Sequence, residues 1–345
     1  MTNKLVKSII KGNKISISRA ISLVENESKE ADKLLALLYS YVGKAKRIGI
    51  TGPPGIGKST LVNELVIALR KRNKKVGVIA IDPSSIFTGG AILGDRIRMS
   101  ACRRDLPPSG RDSAAASASG GQKIGVDDEV FIRSMATRGM HGGLNRTASE
   151  VADILDASGK DYVIFETVGV GQSEVEIFRT ADVTVLILSP ESGDSIQAMK
   201  SGLMEIADII AVNKSDLPGA DGFVSNLRNT LEISRSARSN NKSMAIIKTQ
   251  ANQGIGIEEL LNGITDYLNN LDKTGQLIQR RKRLLQDRIK SLILCKLENM
   301  ITDNPKITKQ IDSYLNNDGL RDHQKITPYE FVDKVIKKLL NKHII

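Results

Sequence analysis

GITGPPGIGKSTLVNELV, residues 49–66, is the stretch whose interpretation decides the fold. A short β-rich run, "RIGIT", leads into it, and Leu61, Val62, Leu65, Val66 and Leu69 recur behind it on one helical face. Strand, glycine-rich loop and helix follow in the order required by G-x-x-x-x-G-K-[ST]. Gly52, Gly57, Lys58 and Ser59 stand at the defining positions, with Pro53, Pro54, Gly55 and Ile56 between them and Thr60 just after. Such a loop lies at the amino end of a helix, where unpaired N–H groups and the helix dipole attract an anion. Lys58 then supplies positive charge to β- and γ-phosphates, and the Ser59 hydroxyl supplies an oxygen ligand for Mg²⁺. The motif predicts phosphate binding and leaves the base open.

Around this loop, "KVGVIAID", "YVIFE", "VTVLIL", "IIAVN" and "AIIKT" alternate with amphipathic stretches. Near-continuous apolar strands separated by helices predict an α/β fold of the P-loop NTPase type. Its mostly parallel central sheet is flanked by helices on both faces. Carboxyl ends of strands converge on the ligand crevice of such a sheet. Asp82 ends one predicted strand and Glu166 another, so both are candidate metal ligands beside Ser59. Glu166 and Gly169 form E-x-x-G, in which the Gly169 N–H can bond a terminal phosphate and lose it on hydrolysis. Val170 occupies the position of the usual water-positioning glutamine, and Gln172 lies two residues later. Slow intrinsic hydrolysis is the expectation.

The base is indicated by "IIAVNKSD". Asn213, Lys214 and Asp216 form N-K-x-D at the end of a predicted strand. A carboxylate there accepts both the N1–H and the exocyclic amine of guanine, paired donors that adenine lacks, while the lysine stem packs over the ring. Farther on, Gln250 and Ala251 in "KTQANQG" replace a customary Ser-Ala and are candidates for backbone contact with the guanine edge.

The 345 residues carry a formal charge of +11, with 40% hydrophobic and 3% aromatic residues. Aromatic platforms for base stacking are scarce, and much of the charge excess falls in helix-like runs such as "QRRKRLLQDRIK", which suggests a solvated face. Specific nucleic-acid binding and a membrane partner are not expected. No apolar run approaches the roughly 18 residues of a spanning helix, and a cytoplasmic protein is expected. Cys102 and Cys295 lack partners at metal-ligand spacing, and His141 stands alone in "GMHGG". Residues 1–44 have helical spacing, 45–270 form the nucleotide-binding core, and 107–125 are a Ser/Ala/Gly-rich insertion. Residues 271–345 return to helix, with Leu284, Leu285, Ile289 and Leu292 on one stripe.

Beyond these motifs, "ISRAISLVEN", "GGAILGDRIRM", "FIRSMATRGMHGGL", "FETVGVGQSEVEI", "GDSIQAMKSGLMEIADI", "VNKSDLPGADG" and "TPYEFV" closely resemble the MeaB/ArgK family of P-loop GTPases. These are accessory proteins of adenosylcobalamin-dependent methylmalonyl-CoA mutase and related acyl-CoA mutases. The resemblance implies GTP hydrolysis that gates cofactor loading on a partner mutase, with adenosylcobalamin reached only through that partner, and a C-terminal arm that makes a homodimer. It also implies that Asp82, Asp95 and Glu166 surround Mg²⁺. Asp194, Gln197 and Lys200 would then relay nucleotide state, with Lys58, Glu166, Gln172 and Lys200 carrying the catalytic roles. The chain departs from the family between Ser100 and Val126, where members pass more directly from "DRIRM" to "FIRS". The rival expectation is a kinase that passes the γ-phosphoryl group to an acceptor, as ArgK-type names suggest.

Overall fold

A computed structural model describes residues 2–82, 127–136, 143–167, 180–191, 203–238, 244–302, 304–316 and 327–343. Helices α1 (Thr2–Ile10), α2 (Lys14–Glu25) and α3 (Lys29–Leu38) precede β1 (Lys46–Thr51) and α4 (Lys58–Lys71). Then come β2 (Val76–Asp82), β3 (Val130–Ala136), α5 (Gly143–Ala157), β4 (Tyr162–Thr167), β5 (Val183–Leu188), α6 (Leu203–Ile206) and β6 (Ile209–Val212). The chain continues through α7 (Ala220–Arg238), β7 (Ala245–Lys248), α8 (Ile257–Lys273), α9 (Gln276–Thr302), α10 (Pro305–Asn316) and α11 (Pro328–His343). Two compact units divide the chain, residues 1–285 and 286–345.

Among the described residues, seven strands form one sheet in the order β3-β2-β4-β1-β5-β6-β7, and each of its pairings is parallel. A parallel sheet needs both faces covered, and the strand residues alternate accordingly. Ile48, Ile50, Val78, Ile164, Val185 and Ala211 turn toward α4 and α8. On the opposite face Ile79, Ile81, Val163 and Phe165 pack with α5 and the three N-terminal helices, while Leu186, Leu188, Ile210 and Val212 meet α6 and α7. The N-terminal helices therefore complete the layer over β2, β3 and β4. Asn13 and Ser28 cap α2 and α3, their side chains accepting the N–H groups of Ser16 and Glu30.

The starting ends of the strands share one device. Asp161, Asp182 and Asp208 immediately precede β4, β5 and β6. Each side chain accepts an N–H from the start of a neighbouring strand: Lys75 N at 2.7 Å, Arg47 N at 2.9 Å and Thr184 N at 2.9 Å. At the outer edge, Asp127 accepts Arg70 Nε at 2.7 Å, and Lys14 and Lys160 donate to the Asp127 and Glu129 carbonyls. Burial pushes the Asp127 carboxyl up, but Arg70 and the Glu129 N–H outweigh it and hold the group below its ordinary range.

Candidate functional site

The phosphate loop joins the finishing end of β1 to the first turn of α4. Its path needs glycine at Gly52, where φ is +144° and an added Cβ would lie 2.3 Å from the Ile187 carbonyl oxygen. Gly57 caps α4 with φ +90°, and a Cβ there would meet Asn213 Nδ2 at 2.6 Å. Lys58 is buried, and its ammonium donates to the Gly52 and Pro53 carbonyls at 2.8 and 2.6 Å, bracing the start of the loop against its end. Pro53 and Ile56 are buried, whereas Pro54, Gly55 and Thr60 are exposed.

Ser59 heads the same helix and faces the end of β4. Its hydroxyl donates to Glu166 Oε1 at 2.5 Å, and Glu166 is 4% exposed. The register sets Ala80 beside Glu166 and Ile81 beside Thr167, so Asp82 ends the strand adjacent to the one bearing Glu166. Hydroxyl and carboxylate oxygens at one strand end suit a hard cation such as Mg²⁺. No group of three or more His, Cys, Asp or Glu side chains arranged for a metal occurs among the described residues.

N-K-x-D follows β6. Lys214 takes φ +55°, a left-handed conformation uncommon outside glycine and asparagine. Asn213 is 3% exposed and joins three segments. Its Nδ2 donates to the Ile56 carbonyl at 2.8 Å, and its Oδ1 accepts Ala251 N at 3.0 Å and Thr249 Oγ1 at 3.2 Å. Lys214 is half-buried and Asp216 exposed. The turn that carries Gln250 and Ala251 is closed by a bridge between Gln250 and Ile255. One buried amide thus brings together the predicted phosphate, base and guanine-edge segments.

Asp95, Gly169, Gln172, Asp194, Gln197 and Lys200 lie outside the described residues, as do Cys102, His141 and the 107–125 insertion. Cys295 forms no disulfide among the described residues, and its Sγ accepts Asn299 Nδ2 at 3.9 Å. Sequence reasoning missed the second role of "QRRKRLLQDRIK". Arg280 and Arg281 do not extend into solvent as a charged helix face does; they pair with buried Asp208 and Asp182 at 2.8 and 2.6 Å. The available signal was the repeated aspartate directly before a strand, in "KDYVIF", "ADVTVL" and "ADIIAV".

Comparison with known proteins agrees with this geometry. The family model described as methylmalonyl Co-A mutase-associated GTPase MeaB matches residues 17–306. GTPase ArgK of Escherichia coli is 33% identical over 285 residues, covering 81% of this chain and 79% of that protein. The mouse protein named methylmalonic aciduria type A homolog, mitochondrial, is 29% identical over 326 residues, covering 90% and 73%. Among solved structures, one described as LAO/AO transport system kinase covers 98% of this chain and 97% of its own, with a TM-score of 0.62 and 24% identity; it shares the fold. With a phosphate loop, a hydroxyl–carboxylate pair and N-K-x-D assembled on one parallel sheet, this chain belongs to the MeaB family of P-loop GTPases.

Proposed function

We propose that this GTPase serves an adenosylcobalamin-dependent acyl-CoA mutase of the methylmalonyl-CoA mutase type, hydrolysing GTP to GDP and phosphate to gate cofactor loading and protection on that partner. The observation that carries this reading is the match of residues 17–306 to a mutase-associated family. GTP is held by the 52–60 loop, with Asn213, Lys214 and Asp216 at guanine and Gln250 and Ala251 at its edge. Lys58 offsets phosphate charge, and the reaction is in-line attack of water on the γ-phosphoryl group, driven by positioning and charge stabilisation.

Ser59, Asp82, Asp95 and Glu166 are the proposed Mg²⁺ ligands, in support of which Ser59 and Glu166 are in hydrogen-bond contact. Held by these residues, Mg²⁺ would supply positive charge to the triphosphate. Because the Ser59 hydroxyl donates its proton to Glu166, its lone pairs stay available to a cation. Gly169 senses the terminal phosphate. Gln172 and Lys200 complete the catalytic set, and Asp194 and Gln197 join Lys200 in passing nucleotide state to the mutase.

The proposed assembly is a homodimer through the C-terminal arm, residues 271–345, in the cytoplasm. Ile289, Ile293, Leu297 and Met300 of α9 are exposed, a surface suited to a second copy. No helix among the described residues is long and apolar enough to cross a membrane.

The experiment is GTP turnover by the purified protein with and without the cognate mutase, using γ-labelled GTP. Faster release of label as inorganic phosphate in the mixture is expected. Equal rates would remove the gate, and label on an acceptor would replace the hydrolase with a kinase.

A further inference from the structure

Two half-buried ion pairs beneath the sheet lie at the opposite end of the strands from the proposed nucleotide site. Arg281 grips Asp182 with two nitrogens, Nε at 2.8 Å and Nη2 at 2.6 Å, and also donates to the carbonyls of Gly43 at 2.6 Å and Ala45 at 2.9 Å. Arg280 reaches both oxygens of Asp208, at 3.0 and 2.8 Å, and Tyr267 donates its hydroxyl to the same carboxylate at 2.5 Å. The Asp182 hydrogen bonds hold the Arg281 guanidinium above its ordinary value.

These partners are not scattered. Ala45 immediately precedes β1, Asp182 precedes β5 and Asp208 precedes β6. Followed to their finishing ends, about 15–20 Å away for strands of this length, β1 leads into Gly52 and β6 into Asn213. Between them β5 presents the Ile187 carbonyl against Gly52. Two successive arginines on the first turns of α9 therefore hold the starting ends of the three strands whose far ends shape the phosphate loop and the base-recognition segment.

The Gly43–Ala45 link is also pinned from its other side. Its three N–H groups, at Gly43, Lys44 and Ala45, converge on the Asp156 carboxylate of α5 at 2.7, 3.2 and 3.0 Å. Arg281 takes carbonyls of that same link, so neither α5 nor α9 can shift without straining the entry to β1. The charge-assisted, bidentate contact of Arg281 with the buried Asp182 carboxylate permits few alternative geometries.

We propose that Arg280 and Arg281 are positioning residues for the nucleotide site, linking the root of α9 to bound guanine nucleotide through β1, β5 and β6. Linkage is reciprocal: if the root of α9 biases the strand geometry, nucleotide must bias the root of α9 by the same factor. A purely structural pair of ion bridges would stabilise the fold equally with and without ligand.

The test is amide hydrogen exchange on the full-length protein, free and saturated with GDP, followed over residues 276–285. In the wild type, GDP should slow exchange there by about fivefold or more, the lower end of ordinary site-to-site coupling. In R280Q/R281Q, brought to saturation by its own fluorescent-GDP titration, that slowing should vanish. R281K, which keeps charge but loses the planar fork, should give an intermediate effect and replaces the double variant if that one does not fold. Identical exchange in the free and GDP-bound wild type would overturn the proposal, and so would undiminished slowing in either variant. The measurement involves no mutase, so its failure is separate from failure of the proposed partner role.

Discussion

Asn213 Nδ2 donates to the Ile56 carbonyl at 2.8 Å, tying the base-recognition segment directly to the phosphate loop. With Oδ1 receiving Ala251 N and Thr249 Oγ1, the buried amide satisfies groups from both the 52–60 loop and the segment after β7. The two halves of the site are consequently one hydrogen-bonded unit.

Replacing Asn213 with Ala strands a buried carbonyl and a buried N–H, each costing about 1–3 kcal/mol. GDP affinity should fall by about tenfold or more, the equivalent of about 1.4 kcal/mol. Titration with a fluorescent GDP analogue checks this; an unchanged dissociation constant would show that the bridge does not set the site.

The loop glycines should respond unequally. At Gly52 a methyl group would stand 2.3 Å from a backbone oxygen of β5, whereas at Gly55, with φ +75°, it would meet nothing within 4 Å. Gly55→Ala should cost about 1–2 kcal/mol of backbone strain and leave a folded, nucleotide-binding protein. Gly52→Ala must displace the loop or β5 and should abolish GDP binding. Urea unfolding and GDP titration of both proteins distinguish the outcomes.

Glu166→Gln retains an oxygen that can accept the Ser59 hydroxyl but removes the negative charge from the strand end. Turnover of GTP should then require a higher Mg²⁺ concentration, by about tenfold or more for a single lost charge contact. Phosphate release measured across a Mg²⁺ series gives the shift directly. An unaltered midpoint would remove Glu166 from the cation site.

Lys160 provides a pH test remote from the nucleotide. Burial lowers its ammonium from 10.5 to about 8, although Glu129 opposes the shift. Between those values the unfolded chain binds more protons than the folded one, so this group's contribution to stability rises with pH. The gain starts above about pH 8 and is complete beyond 10.5, on the order of 3 kcal/mol in total. Unfolding free energies of wild type and Lys160→Met at pH 7 and pH 10 should diverge in favour of wild type at the higher pH. Parallel curves would show that Lys160 stays charged in the folded protein.

Local signals determined much of this protein. Six strands were legible as apolar runs of 4–7 residues, because a parallel sheet buried on both faces demands continuous hydrophobic segments. The phosphate loop and N-K-x-D were legible because their chemistry depends on residue types at close spacing. "FIRS", within β3, lacks the continuous apolar run of the other strands, for it carries Arg133, whose guanidinium pairs with Glu25 of α2.

Contacts between residues far apart in the chain were decided by the tertiary structure. Nothing in "IIAVNKSD" announces that Asn213 reaches back to Ile56, and nothing in "QRRKRLLQDRIK" separates the two arginines that enter the base of the sheet from exposed Arg283. Periodicity and composition report which face of an element is apolar. Which carboxylate a long cationic side chain meets depends on how strands order themselves in the sheet, and here Asp182 and Asp208 come beneath α9 only because β5 and β6 lie side by side.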